Sequence, residues 1–109
     1  MNRTVLLYSS GDRMNYIIVY DITDDALRNR VSERLKDYGL ERIQYSAFQG
    51  ELERHVLSSL RVDMQKLVAQ GIETDSVIMF PLCASCFGSR IIVGAHREMN
   101  RVESGVSLF

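Results

Sequence analysis

The aspartate that ends the stretch IIVYD, Asp21, is the residue whose place in the sequence most needs an explanation. Two acids that follow it, Asp24 and Asp25, have an ordinary one. A short polar side chain just before a helix accepts a hydrogen bond from a free backbone N–H and suits the positive end of the helix dipole. Asp21 lies before that position. Either it is a turn acid that accepts hydrogen bonds from backbone N–H groups, or its carboxylate has a chemical function.

Basic residues are concentrated in and after the first predicted helix, at Arg28, Arg30, Arg34, Lys36 and Arg42. Arginines hold phosphates through forked hydrogen bonds, so this segment is a candidate nucleic-acid surface. Acidic residues lie among them, and these also permit i,i+4 ion pairs on a solvated helix. The residue types alone leave both interpretations open.

The two cysteines, Cys83 and Cys86, form the motif LCASC. A structural zinc site normally needs four ligands, so this pair with the distant His55 or His96 is incomplete, and we expect no zinc. A thioredoxin-like pair would open a helix near the start of a βαβ unit, whereas this pair follows a predicted strand late in the chain. We therefore expect buried thiols or an incidental pair.

The elements that must position these residues are predicted in the order β, α, β, α, β, β. The first strand is IIVY, and the helix after it has Leu27, Val31, Leu35 and Tyr38 at helical spacing, with Gly39 as its left-handed terminal residue. This order predicts an α+β fold of the ferredoxin-like type, βαββαβ with an additional C-terminal strand.

The later elements are predicted from strand alternation and from helical spacing of apolar residues. Residues 41–52 alternate as a strand, split or kinked near Gly50, with Arg42, Gln44, Ser46 and Phe48 on one face. A long amphipathic helix follows, closed by Gly71, and its apolar face is marked by Leu52, Val56, Leu60, Met64, Leu67 and Val68. Two further strands are predicted after it, SVIMFPL (Ser76–Leu82) and RIIVGA (90–95).

Both faces of the first strand are apolar, although two helices can cover only one face of a sheet. Ile18 and Tyr20 share one face, and Ile17, Val19 and Asp21 share the other. A second copy of the sheet is the simplest cover, because homo-oligomers are most often two-fold dimers. Two carboxylates brought together at such an axis repel unless a proton or a cation neutralises them. Mg²⁺ or Mn²⁺ would suit, since hard cations prefer oxygen ligands and can activate water near a phosphoryl group.

Composition limits the class of protein. The chain has 109 residues, is 46% hydrophobic and carries a formal charge of -1, which fits one compact domain that would bind a polyanion only through a local basic surface. Two cysteines, the lack of a signal-peptide pattern and the lack of an apolar run of roughly 20 residues predict a cytoplasmic protein that does not enter a membrane. We place the domain at 14–95. Residues 1–13 are an extension, an alternative start or an extra strand over 5–8, and 96–109 are a polar tail.

Three motifs carry a family resemblance. YIIVYDIT at the first strand precedes an Arg-bearing helix, GLERIQYSAFQGEL covers 39–52, and FPLC ends the late strand. Over most of residues 14–95 the chain resembles the CRISPR-associated Cas two (Cas2) proteins, small subunits of the spacer-acquisition machinery.

The resemblance implies a homodimer with facing ferredoxin-like sheets, in which the C-terminal strand of one protomer joins the sheet of its partner. It implies that Asp21 pairs across the dimer axis around Mg²⁺ (or Mn²⁺) in a metal-dependent nuclease of RNA or double-stranded DNA. Tyr20 flanks that acid as a second catalytic candidate. With the basic cluster included, the candidate nucleic-acid-binding residues are Arg28, Arg30, Arg34, Arg42, Ser46 and Phe48.

The resemblance also implies a protein partner, the CRISPR integrase subunit. Members of the family act as non-catalytic scaffolds that hold the integrase with DNA, and this function stays open for the chain. A ferredoxin-like module that binds a small ligand is a third possibility, because fold alone does not determine function.

Overall fold

The fold is a four-stranded antiparallel sheet with two long helices, and this computed structural model describes it for residues 13–94. The elements in chain order are β1 (Arg13–Asp21), α1 (Asp25–Asp37), β2 (Glu41–Gln44), β3 (Ala47–Glu53), α2 (Arg54–Val68), β4 (Ser76–Leu82) and the short helix α3 (Ala84–Gly88). The strands lie in the order β2-β3-β1-β4. This is the βαββαβ, ferredoxin-like arrangement that the sequence predicted.

The core lies between one face of the sheet and the two long helices. Alternation along β1 buries Tyr16, Ile18 and Tyr20 on this face and turns Val19 to the other. The largest fully buried side chains come from the sheet and both helices: Phe48, Ile18, Leu27, Leu35, Leu60 and Val31. Each side chain of this size contributes about 1.5–3 kcal/mol when it is fully buried.

Helix α1 begins and ends as its sequence predicted. The Asp24 side chain accepts a hydrogen bond from the backbone N–H of Leu27 at 2.8 Å, which caps the first turn. At the other end Gly39 has φ +88°, a left-handed conformation that few other residues adopt readily. The backbone N–H groups of Gly39 and Leu40 then bond back to the last turn, which satisfies two of its carbonyls.

Helix α2 confirms the long amphipathic helix, with a later start. Leu60, Met64 and Leu67 are buried, as their spacing predicted. Leu52, which we placed at the beginning of the same apolar row, instead lies in β3 and is buried from the sheet side. The helix follows β3 directly, from Arg54.

The predicted strand over 41–52 is a hairpin of two strands that divides at Tyr45 and Ser46, not at Gly50. Arg42 pairs with Phe48, and the register shifts between Arg42 and Gln44. The turn and this irregularity change which residues share a face, because a shift of one residue reverses every side chain that follows. Phe48 therefore faces the helices and is fully buried.

The end of the described chain differs from the prediction. Residues 90–94 form no strand, and Ala95 lies outside the described residues. The segment around the cysteines is the short helix α3, which the sequence reading missed. Both thiols are exposed, so of the two expected alternatives burial is wrong, and an incidental pair stays a prediction. The Cys83 sulfur accepts a hydrogen bond from the backbone N–H of Cys86 at 3.4 Å, and this bond lowers the pKa of the Cys83 thiol.

Strand β1 extends to the first residue that the structure describes. Arg13, which we placed in the extension, is the first residue of β1, and its guanidinium lies 3.3 Å from the carboxylate of Glu53. The strand considered over 5–8 and the tail over 96–109 lie outside the described residues and stay predictions. Between residues 13 and 94, no helix is both long enough and apolar enough to cross a bilayer.

Candidate functional site

The site is built around the end of β1. Asp21 is the last residue of the strand, where it pairs with Ser76 of β4, and its side chain is exposed. Strand alternation places it on the same face as Ile17 and Val19, opposite the helices. Within residues 13–94 its carboxylate has no hydrogen-bond or ion-pair partner.

Two other aspartates at this end of the sheet have clear structural functions. Asp24 caps α1. Asp75 is buried, and its two carboxylate oxygens accept hydrogen bonds from the backbone N–H of Thr23 at 3.0 Å and of Ile72 at 3.1 Å. Asp75, which the sequence reading did not single out, is therefore the turn acid satisfied by backbone N–H groups. The interpretation of Asp21 in those terms has no support among the described residues.

Tyr20 lies on the opposite face from Asp21. Its ring is buried, and its hydroxyl donates to the backbone carbonyl of Tyr45 at 3.3 Å. The predicted catalytic role of Tyr20 needs correction, because strand alternation points its side chain into the core. Its observed contacts hold the β2–β3 turn next to the end of β1, where the Tyr20 backbone N–H also donates to the carbonyl of Ser46 at 3.0 Å.

Arg28 of α1 contacts the loop that follows Asp21. Its guanidinium donates to the carbonyl of Ile22 at 2.9 Å, to that of Thr23 at 3.5 Å and to the carboxylate of Asp25. It also lies over the Tyr45 ring, 5.9 Å from the centroid. Arg28 therefore fixes the loop after Asp21, and much of its hydrogen-bonding capacity is used within the protein.

Arg42 lies at the same end of the sheet, on the edge strand β2. Its guanidinium donates to the carbonyl of Tyr45 and lies 5.0 Å from the centroid of the buried Phe48 ring. We call Arg28, Arg42 and Tyr45 the turn cluster. Ser46, half-buried in the same turn, lies beside it. The structure thus brings three of the predicted binding residues together: Arg28, Arg42 and Ser46.

Arg30 and Arg34 point elsewhere. Arg34 pairs with Asp63 of α2 at 2.9 Å, and Arg30 donates to the Gln70 side chain at 2.7 Å. The Tyr38 hydroxyl donates to the same Asp63 at 2.6 Å, and this hydrogen bond, together with the Arg34 guanidinium, lowers the pKa of that carboxyl. Arg34 therefore joins α1 to α2, Arg30 joins α1 to the turn after α2, and neither extends the turn cluster.

Phe48, a predicted binding residue, is not on the surface. Because it is fully buried beneath Arg42, it cannot contact nucleic acid in this conformation, and the prediction is corrected. Tyr45 is the residue that the sequence reading missed here. It is 70% exposed at the tip of the turn, and the available signal was an aromatic residue between two strands close to a basic residue.

Part of the sheet face that carries Asp21 is apolar and exposed. Ile78 and Phe80 of β4 pair with Val19 and Ile17, and all four side chains lie on the side away from the helices. Ile78 and Phe80 are each about half exposed. Apolar area of this kind on a sheet is typical of an interaction surface.

The donors for a metal are limited in a single chain. No group of three or more His, Cys, Asp or Glu side chains within residues 13–94 is arranged to hold an ion. Mg²⁺ commonly uses only one or two protein carboxylates and keeps several waters. One exposed, unpaired carboxylate from each of two copies fits that requirement.

Fold and site together define a ferredoxin-like domain with an exposed aspartate at the end of its first strand, on the sheet face that the helices leave open. The family model described as CRISPR associated protein Cas2 matches residues 14–90. The chain belongs to this family.

Individual relatives agree with the assignment. The CRISPR-associated endoribonuclease Cas2 1 of Archaeoglobus fulgidus is 38% identical over 80 residues, which cover 73% of this chain and 83% of the relative. The CRISPR-associated endoribonuclease Cas2 of Korarchaeum cryptofilum is 44% identical over 75 residues, covering 67% and 76%. A solved structure titled as a crystal structure of Cas2 has a TM-score of 0.64 and 32% identity, and the match covers 79% of this chain and 92% of that one.

Proposed function

We propose that this chain is a cytoplasmic CRISPR adaptation protein that acts as a metal-dependent endonuclease, with RNA as its first expected substrate and double-stranded DNA as its second. The observation that carries the proposal is the Asp21 carboxylate, which is exposed and unpartnered within residues 13–94 while both neighbouring aspartates are used structurally. Family membership and the printed names of the two relatives support the same chemistry.

The active unit is proposed to be a homodimer. The open face of the sheet presents Val19, Ile78 and Phe80 to solvent, and a second copy would bury them together with Asp21. Ile91 and Val93 are 78% and 93% exposed in a segment that forms no strand within its own chain. This β-branched segment suits pairing with the free edge of a partner's sheet, since a strand edge presents unpaired backbone groups.

In this dimer Asp21 of each protomer would hold the divalent ion. Mg²⁺ or Mn²⁺ held there would supply a means of activating water and of stabilising charge on the phosphoryl group. The chain itself contributes a carboxylate fixed at the end of a central strand, a loop held by Arg28, and the Arg42 guanidinium at the neighbouring turn. Arg42 is the cation that we expect to contact a phosphate, because among the described residues its guanidinium makes one hydrogen bond, to Tyr45, and a ring contact with Phe48, which leave most of its donors available.

The non-catalytic scaffold is the second candidate, with the CRISPR integrase subunit as partner. The observation that favours it is that no group of three or more metal-ligating side chains exists within residues 13–94. The small-ligand module is not favoured, because the family match covers the whole ferredoxin-like part of the chain.

Asp21→Asn is the test, with Asp24→Asn as the matched control. Both substitutions remove one negative charge. Asn caps a helix about as well as Asp, so the control should keep α1 intact. We expect cleavage of single-stranded RNA with Mg²⁺ or Mn²⁺ to fall about 100-fold or more in Asp21→Asn, because a bound ion supplies several kcal/mol of charge stabilisation, and to persist in Asp24→Asn.

The assay should run from pH 7 to pH 9, where free carboxylates are ionised, with chelator added as a second control. Cleavage that survives in Asp21→Asn would refute the catalytic role. A wild-type dimer that cleaves neither RNA nor duplex DNA with either metal would favour the scaffold.

A further inference from the structure

Tyr45 has an aromatic side chain that the fold does not use in its core. The ring is 70% exposed, whereas the neighbouring aromatic residues Tyr20 and Phe48 are buried. The hydrogen bonds that hold the turn, from the Tyr20 hydroxyl and from Arg42, go to the backbone carbonyl of Tyr45, which any residue would supply. The turn therefore does not depend on a large ring at this position.

The ring is nevertheless held on one side. The Arg28 guanidinium lies 5.9 Å from its centroid, within the range of a cation–π interaction. Arg28 is itself fixed by the carbonyls of Ile22 and Thr23 and by Asp25, so it cannot easily move away. One face of Tyr45 thus has a fixed cationic support, and most of the ring stays open to solvent.

The surroundings suit a nucleotide better than an apolar ligand. Arg42 donates to the Tyr45 backbone carbonyl from the edge strand, so a second guanidinium lies at the same turn. The turn adjoins the end of β1, since the carbonyl of Ser46 accepts the backbone N–H of Tyr20, the residue before Asp21. A base stacked on Tyr45 would therefore place its strand at the same end of the sheet as the proposed cleavage site.

We infer that Tyr45 is a positioning residue that stacks on an unpaired nucleobase of a single-stranded substrate, with Arg28 supporting the ring and Arg42 contacting the adjacent phosphate. Base–aromatic stacking of this kind is tolerant of sequence, because every base has a π-face. The inference rests on the proposed nucleic-acid function and adds to it the place where a base is held.

The experiment measures equilibrium binding by fluorescence anisotropy, with every variant made in the Asp21→Asn background so that no substrate is cut. The probes are a labelled single-stranded RNA, a base-free oligomer of the same length and a blunt DNA duplex. The variants are Tyr45→Leu, Tyr45→Phe and Arg42→Gln, with Val62→Ala on the outer face of α2 as a control for loss of an exposed apolar side chain.

Tyr45→Leu should bind the single-stranded RNA about tenfold more weakly, the loss expected for one base–aromatic stack, while Tyr45→Phe and Val62→Ala stay within about twofold of the parent. Affinity for the base-free oligomer and for the duplex should not change in Tyr45→Leu. The dependence of affinity on salt concentration distinguishes a stacking contact from a contact between charges. The log–log salt slope should stay the same in Tyr45→Leu and should become shallower by about 0.7 in Arg42→Gln.

Equal affinity of Tyr45→Leu and its parent for the single-stranded RNA would overturn the inference, as would an equal loss on the base-free oligomer. Absence of any nucleic-acid binding by the parent would overturn it too. Cleavage is read separately with the native Asp21. A wild type that does not cleave, together with a stacking loss in Tyr45→Leu, would refute the proposed catalysis and support the inference.

Discussion

Three aspartates at this end of the sheet, Asp21, Asp24 and Asp75, should respond differently to the same substitution by Ala. Asp75 accepts two hydrogen bonds, at 3.0 Å and 3.1 Å, through a buried carboxylate. A hydrogen bond to a charged group contributes about 1.5–3 kcal/mol. Thr23 and Ile72, which donate these bonds, are exposed residues, so water can replace part of the lost interaction. We expect Asp75→Ala to lower the free energy of unfolding by about 2–3 kcal/mol.

Substitution of either of the other two aspartates by Ala should lower the free energy of unfolding by less. Asp24→Ala removes one helix cap and should cost about 1 kcal/mol. Asp21→Ala removes no interaction seen within residues 13–94 and should stay within about 0.5 kcal/mol of the wild type. Urea unfolding at one fixed protein concentration and without divalent ions measures all three, because ligand binding and dimer formation shift apparent stability.

The Asp75 carboxylate also occupies the space that a side chain at position 71 would need. A Cβ atom at Gly71 would lie 2.0 Å from the Asp75 oxygen that bonds Ile72, so the carboxylate would have to move. After Asp75→Ala the nearest obstacle is the Leu27 side chain at 3.0 Å. Gly71→Ala should therefore destabilise the wild type and cost clearly less in the Asp75→Ala background. A destabilisation by Asp21→Ala equal to that of Asp75→Ala, or strict additivity at positions 71 and 75, would refute this assignment of functions.

Two further predictions concern pH and assembly. The Tyr38 hydrogen bond and the Arg34 guanidinium lower the pKa of Asp63, so this carboxylate stabilises the fold above its unfolded pKa of about 4 and loses that effect as the pH falls through its folded pKa. Asp63→Asn should therefore lower the urea midpoint at pH 7, and below about pH 4 the midpoint of this variant should fall less steeply than that of the wild type. Parallel pH profiles of the two proteins would contradict this. Removal of residues 91–109 should lower the dimer fraction measured by light scattering at micromolar concentration, because the exposed Ile91 and Val93 are lost, and an unchanged dimer mass would argue against pairing of this segment with the partner's sheet.

Much of the fold was predictable because its elements have strong local patterns. The apolar spacing of α1, its cap Asp24 and its terminal Gly39 are all local features, and each has its expected function in the structure. The strand predicted over 90–95 is the opposite case. Its β-branched residues favour a strand only where a neighbouring strand is present, and the described part of the chain offers it none. The short helix α3 was missed because its cap is the Cys83 thiol, and Cys is not a typical capping residue.

The candidate site was predicted in part. Strand alternation alone placed Asp21 on the open face, and the structure agrees. Phe48 was placed wrongly because alternation was continued through a turn that the sequence does not mark with Gly or Pro. The structural function of Asp75 and the exposed position of Tyr45 beside Arg28 depend on contacts between segments far apart in the chain, such as Asp75 with Thr23, and no local pattern contains them.

The carboxylate of Asp75 links the loop after β1 to the loop before β4, and this affects how the site can fluctuate. Opening of either loop breaks a hydrogen bond that the other shares, so the two segments should open together as one cooperative unit. The loop that follows Asp21 is also held by Arg28, through the carbonyls of Ile22 and Thr23. The backbone next to Asp21 is therefore already ordered in the free protein, so less conformational entropy would be lost on binding of the proposed ion or substrate.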